Sequence, residues 1–478
     1  MRKWIILISL LLLTVSGVSA QAAQPGADGI GDNYFPQLGN SGYDVQHYTL
    51  ALAWDDQTNE LSGTVTIEVT ATQNLSTFNL DFLGFNISAI TVDDTPAEFS
   101  RNGRELTITP ATELTKDQVF AVAVTYSGIP GKGVPHYYDV FAHGWTRYDK
   151  GVYVASEPDG SAYWYPVNDH PLDKALYTFE ITVPAPYVVA ANGLLQDTQE
   201  NGDTITYTWE TLHPVASYLV TVNVAEFIVE EAEGPDELPI RNYYPASVFQ
   251  QGVLTFHNTA KMIEFFSDTF GPYPFEAYGV VVADQNLGFA LETQTLTLFG
   301  RNAARGGASS ENVIAHELSH QWFGNSVSLA EWSDIWLNEG FATYAAALWL
   351  EHTDGADALD QYMREIYAPL ATPLVRNQFV PPGNPPVNDL FNYGVYIRGA
   401  WVLHALRLHV GDEVFFELLR TYYARFKYGN VTTADFMALA EKLSGEDLGK
   451  FFDAWLYNPT IPAVPEMGLK PPTSSPSK

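Results

Sequence analysis

His316-Glu317-Leu318-Ser319-His320 sets two imidazoles four residues apart, with a carboxylate next to the first. Wound as a helix, that spacing puts both rings on one face, one turn apart, where they can hold a single divalent metal ion. Glu317 lies beside the same face and can reach a water at the metal, the position a general base for peptide hydrolysis needs. Two histidines leave a catalytic zinc one ligand short, because such an ion keeps three protein donors and one open place. Glu339 is the best third: eighteen residues separate it from His320, and it lies in an apolar and aromatic run (335–350) suited to a second, buried helix. The donor types point to zinc, one ion per chain. His404 and His409, five residues apart with no carboxylate nearby, read as packing or surface residues.

The elements that must hold these groups carry local signals of their own. Ser309 and Ser310 offer an N-cap to the metal helix, Glu311 puts negative charge in its first turn, and Gly324-Asn325 offers a stop. Upstream, residues 32–245 read as an all-β domain. Val65, Ile67 and Val69 alternate with polar residues, as do Phe78, Leu80 and Phe82, and Asn102-Gly103, Asp159-Gly160, Asn192-Gly193 and Asn201-Gly202 punctuate the strands as turns. The acidic stretch 230–239 marks the approach to a boundary. Beyond it, 253–266 has helical spacing, 278–283 reads as a buried strand, and after Glu339 helices are expected at 356–367, 412–426, 433–443 and 447–456. Thr432-Thr433 is a cap for the third of these. The fold class is therefore α+β, an N-terminal β domain followed by a mainly helical domain over 246–462, with a Pro/Ser-rich tail at 463–478 expected to be unstructured.

The chain has 478 residues, 46% hydrophobic and 14% aromatic, enough for two or three domains with large cores. A formal net charge of -32 argues against nucleic acid or an anionic membrane as partner. Met1-Arg2-Lys3, an apolar run over 4–15 and the ending Val18-Ser19-Ala20 form the pattern of an export signal, residues 1–20, cleaved near Ala20. Secretion or a periplasmic location is expected, with no membrane span in the mature chain. There is no cysteine, so disulfides and thiolate ligands are excluded.

His316-Glu317-x-x-His320 followed by Trp336-Leu337-Asn338-Glu339-Gly340-Phe341-Ala342 closely resembles the zinc aminopeptidases of the aminopeptidase N type, the gluzincin aminopeptidases, and the likeness runs from about residue 32 to 462. It implies a curved β-sheet domain forming one wall of a cleft and a thermolysin-like zinc-peptidase domain forming the other. It implies peptide substrates with a free N-terminus. By the same likeness Gly288-Phe289-Ala290-Leu291-Glu292-Thr293 is the edge strand that runs along the substrate, with Glu292 on the free amine. Phe289, Leu291 and Thr293 depart from the family's Gly, Met and Asn there. Ser156-Glu157-Pro158 resembles the segment that brings an N-terminal-domain carboxylate to the same amine. Tyr396, in Tyr396-Ile397-Arg398-Gly399-Ala400, takes the place of the tyrosine that stabilises the transition state, with Arg398 where Lys is usual and Tyr393 as a neighbouring competitor. Many relatives carry a further helical domain that this sequence stops short of, so a more open site is expected. Two other readings keep the metal site: a zinc-containing peptide-binding module without activity, and a metallohydrolase of another substrate such as an epoxide.

Overall fold

In the computed structural model, residues 22–134, 144–370 and 380–470 are described. The expected export signal, 1–20, lies outside them, as do 471–478. The N-terminal unit is built on an eight-stranded sheet in the order Leu194–Asn201, Thr204–Glu210, Leu176–Pro184, Tyr43–Asp55, Glu60–Ala71, Val119–Gly128, Asn86–Val92, Thr95–Pro96. Alternation drives it: Leu50, Leu52 and Trp54 are buried while their neighbours face outward. Register shifts at Val45/His47, Ile87/Ala89 and Leu195/Asp197 are bulges that bend the strands. The first explains why burial jumps three residues, from Val45 to Tyr48, rather than two.

Beside this sheet a buried Arg104 organises the loop that carries Glu157. Its Nε donates to Asp81 (2.8 Å), Nη1 to Asp159 (3.1 Å) and Nη2 to Asp169 (2.6 Å). Asp169 also accepts from Ser217 Oγ (2.8 Å), and Asp81 accepts from the Asp169 amide (2.9 Å). One guanidinium thus ties three segments together just two residues from Glu157, which itself follows the fully buried strand Gly151–Ala155. Asp159-Gly160, read above as a turn, does form one, and it is buried in this knot.

The expected boundary at 245 moves. Phe227–Glu233 and Pro239–Pro245 form a hairpin whose second strand pairs in parallel with Val280–Ala283, which in turn pairs with Thr297–Gly300. The hydrogen bonds therefore place 227–245 in the sheet of the second unit. The helical reading of 253–266 also divides into α1 (Phe249–Thr255) and α2 (Thr259–Phe270). The metal-helix segment forms α3 (Ala308–Ser319), entered not through a serine cap but through Gly306 and Gly307, both at positive φ. Then follow α4 (Trp336–Asp354), α5 (Ala356–Leu370), α6 (Gly399–Val410), α7 (Asp412–Phe426) and α8 (Thr433–Ser444). Thr432 and Asp435 close a capping box at the start of α8. The last expected helix is shorter, α9 (Gly449–Phe452), and continues as a π-helical turn at Asp453–Tyr457. Residues 463–470 are not part of a loose tail. Val464 bridges Leu469, Met467 is buried, and Arg364 Nη1 donates to the Met467 carbonyl (2.6 Å).

Two contacts hold α4 against α6, and with them the groups those helices carry. Gly340 and Gly399 meet backbone to backbone, so that a Cβ on either would lie 2.8 Å from the other. Further along, the Tyr344 hydroxyl and His404 Nδ1 hydrogen-bond (3.1 Å) across the same seam. Burial, and then the neighbouring Arg407, hold the His404 imidazole down to about 4, so the ring is neutral in the folded state. The methyl of Gly399→Ala must push the two helices apart. We expect a loss of about 1–3 kcal/mol in denaturant unfolding and reduced turnover, because Glu339 and Tyr396 flank the contact. For His404 the folded pKa lies below that of the unfolded chain, which takes up the extra proton first as pH falls through ~6.5. Its share of stability is present at neutral pH and lost towards pH 4. Between pH 7 and 4 the wild type should lose about 3 kcal/mol more unfolding free energy than His404→Gln, as read by urea titrations at each pH.

Candidate metal centre and active site

The ten residues singled out from the sequence line one cavity of about 560 Å³: Glu157, Gly288, Phe289, Ala290, Glu292, His316, Glu317, His320, Glu339 and Tyr396. They arrive from five places in the chain. His316 and Glu317 stand on α3 and His320 caps its C-terminus; Glu339 is in the first turn of α4. Tyr396 sits in a π-helical turn, Gly394–Arg398, that leads into α6. Glu292 follows the bridge between Leu291 and Leu298, and Glu157 comes from the β unit. The segment expected to be an edge strand makes only that one bridge, with Gly288, Phe289 and Ala290 preceding it along the cavity wall.

Three donor atoms converge. His316 Nε2 is 3.1 Å from His320 Nε2 and 3.2 Å from Glu339 Oε2, which is 3.5 Å from His320 Nε2. Tetrahedral zinc with bonds of ~2.0–2.1 Å sets its ligands ~3.3–3.4 Å apart, so this triangle fits zinc. His320 Nδ1 is 3.1 Å from the Phe323 carbonyl, which can only accept, so Nδ1 carries a proton and Nε2 points its lone pair at the triangle in the neutral ring. Without a metal, burial works against a second proton on His320, but Glu292 and Glu339 outweigh it and raise the ring to about 10. Burial likewise works against ionised Glu339, and His320 and His316 outweigh it, drawing the carboxyl down to about 2. A cation is required at this point, and a zinc ion satisfies all three donors where a proton satisfies one edge.

Charge of one sign fills the cavity. Burial, then Glu292, push Glu317 well above the ordinary carboxylate range. Burial, then Glu292 and Glu339, do the same to Glu157, and burial raises Glu292. No lysine or arginine is among the described residues of the lining. Burial, and after it the carboxylates of Glu339 and Glu157, keep the Tyr396 phenol protonated and so a donor. Its ring lies nearly parallel to His316, centroids 6.0 Å apart. Arg398, which stands where Lys is usual, is buried behind the site and donates to the carbonyls of Trp455 (2.8 Å) and Ala454 (3.0 Å). Tyr393 does reach the cavity but is mostly exposed.

Several supporting residues escaped the sequence reading. Gln321 Nε2 (3.0 Å) and Asn325 Nδ2 (2.7 Å) both donate to the Glu292 carbonyl, and Gln321 Oε1 accepts from the Thr295 amide (3.0 Å). The turn after His320 thus locks the Glu292 segment to the metal helix. Asn192 of the β unit donates to the Gln294 carbonyl (2.6 Å), and Lys174 Nζ donates to the carbonyls of Asn325 (3.2 Å), Ser326 (3.0 Å) and Gly429 (3.1 Å). Thr343 Oγ1 stands 3.5 Å from His316 Nδ1. Amide side chains directly after a metal helix were the available signal for Gln321 and Asn325; nothing local marks Lys174. Asn312, Val313, Tyr362, Phe391 and Ile397 complete the lining, apolar apart from the amide and a phenol.

Comparison with known proteins agrees with this geometry. The peptidase M1 N-terminal domain matches residues 44–219, and the peptidase family M1 domain matches 254–455. Aminopeptidase M1 of Arabidopsis thaliana is 25% identical over 452 residues, 88% of this chain and 50% of that protein. A probable aminopeptidase 2 of Sulfurisphaera tokodaii is 28% identical over 324 residues, 63% of this chain and 40% of its own. The chain therefore spans about half the length, or less, of these curated relatives. A solved M1 zinc metallopeptidase from Deinococcus radiodurans, a mutant bound to a Tyr-Ser-Ala substrate, superposes with a TM-score of 0.82 at 33% identity, over 92% of this chain and 100% of that one. With both units matched in order and the zinc donors converged, the chain belongs to peptidase family M1.

Proposed function

We propose that the protein is an exported, zinc-dependent aminopeptidase that removes N-terminal residues from peptides. One observation carries the exopeptidase reading. Glu157 Oε1 and Glu292 Oε1 are buried beside the metal triad with no hydrogen-bond partner among the described residues. Buried unpaired carboxylate oxygens are costly, and a substrate α-ammonium pairs both at once. An internal peptide bond brings no such charge. The names of the relatives and the tripeptide in the Deinococcus neighbour support the same substrate class. Export rests on the pattern of residues 1–20. No helix among the described residues is long and apolar enough to cross a membrane.

His316, His320 and Glu339 would hold the zinc, which when bound polarises the scissile carbonyl and acidifies a water. Glu317 takes the proton from the attacking water and returns it to the leaving amine. Its environment, which resists ionisation, suits a group that must pick a proton up. Tyr396 donates its hydroxyl to the developing oxyanion. Glu157 and Glu292 fix the amine, which sets the first peptide bond, and not a later one, over the reacting groups.

Paired peptides that differ only in a free or acetylated N-terminus test the reading. Cleavage of the free member alone, abolished by chelator and restored by zinc, is expected, with acetylation costing at least ~100-fold in kcat/KM. Equal cleavage of both would make this an endopeptidase; cleavage of neither across a broad panel would favour the binding module. Tyr396→Phe should lower kcat by about 10²–10³ with little change in KM or zinc content, because its hydroxyl acts only as charge develops. A loss confined to KM would remove Tyr396 from that role.

A further inference from the structure

Glu157, Glu292 and Glu339 each offer a carboxylate oxygen within 4.8 Å of the other two, and all three side chains are buried. Glu157 and Glu292 are 2% and 3% exposed, and each has an unpartnered Oε1. His320 Nδ1, 4.0 Å from Glu292 Oε1, is beyond hydrogen-bond reach and already directed at the Phe323 carbonyl. Both carboxylates line the cavity, in which no basic side chain stands among the described residues.

We propose that Glu157, Glu292 and Glu339 form a second cation site, which takes a hard divalent ion such as calcium when no substrate amine is present. The site deepens the aminopeptidase reading, since it makes metal ion and substrate amine competitors for the same two oxygens. Charge comes first. Four carboxylates, those of Glu157, Glu292, Glu317 and Glu339, face one cavity. The zinc dication offsets two negative charges and a substrate ammonium a third; with the amine absent, two remain.

Donor type comes second. The triad with two imidazoles suits zinc, whereas an oxygen-only set suits calcium, magnesium or manganese. Size permits calcium. At bonds of ~2.4 Å, two oxygens on one ion stand ~3.4 Å apart when adjacent and ~4.8 Å when opposite, and the three oxygens here all lie within 4.8 Å of one another. Glu339 belongs to both groups, so its carboxylate would be shared between the two sites. Calcium does not displace zinc from imidazole ligands, which keeps the two sites separable by experiment.

The test is equilibrium dialysis of the zinc-loaded protein against radiolabelled calcium, at ~0.15 M salt so that the exposed acidic surface is screened. We expect one calcium above the background set by Glu157→Gln, at least tenfold weaker binding in Glu292→Gln, and a zinc content unchanged at one. Leucinamide should displace the calcium and N-acetyl-leucinamide should not. Should Glu157→Gln fail to fold by circular dichroism, Glu292→Gln alone decides. Equal calcium uptake by wild type and variants, with cleavage still confined to free amines, would overturn the cation site and leave the aminopeptidase standing. Calcium lost in the variants but indifferent to leucinamide, with acetylated peptides cleaved as well, would keep the site and remove the amine clamp.

Discussion

The cavity is held to its chemistry by an imbalance of charge that the protein itself does not correct. Four buried carboxylates and two imidazole donors meet with no basic side chain among the described lining residues. Two other carboxylate clusters among the described residues are resolved internally: Arg104 answers Asp81, Asp159 and Asp169, and Arg407 answers Glu351 and Asp412. The cavity differs from both in having no such internal answer. Such a site is poised to receive cations from outside, first at the three converged donors and then at the two orphaned oxygens. On the proposed function, metal binding and amine recognition both follow from one deficit.

Positioning that deficit falls to contacts made far from it. The Glu292 segment is gripped from below by Gln321 and Asn325 and from the β unit by Asn192. The Glu157 loop is gripped by the Arg104 knot. Glu339 and Tyr396 flank the backbone contact between Gly340 and Gly399, a point at which neither helix has room for a side chain. Each group on the substrate side therefore has a rigid support within a few residues, which is what electrostatic preorganisation needs.

The metal donors were legible because helix geometry alone fixes what residues four apart can share, and a motif on a helix leaves little freedom. Sheet alternation and capping at Thr432 were legible for the same reason: they are local. What escaped depended on distance in sequence. The strands at 227–245 look like any others until Val280–Ala283 pairs with them, and nothing nearby says which sheet they will join. Arg398 sits in a motif facing the cavity, yet its long side chain turns to the carbonyls of the π-helical turn at Asp453–Tyr457, far along the chain. Lys174 is unremarkable in sequence and becomes a bolt between units only when the loop at 325–326 arrives.

Phe289 shows how a departure from a family pattern is absorbed. Read alone, a phenylalanine in place of glycine adds bulk where a substrate should pass. In the fold its ring meets Tyr153 of the β unit, edge to face at 6.5 Å, and lines the cavity while leaving the Leu291 bridge intact. The bulk is thus spent on the seam between the two units. Glu157 on one side of that seam and Glu292 on the other can hold a single amine only if the units keep a fixed separation. The aromatic contact, the Lys174 bolt and the Asn192 amide all act on that one distance, so the packing between units is itself a determinant of which molecules the site can hold.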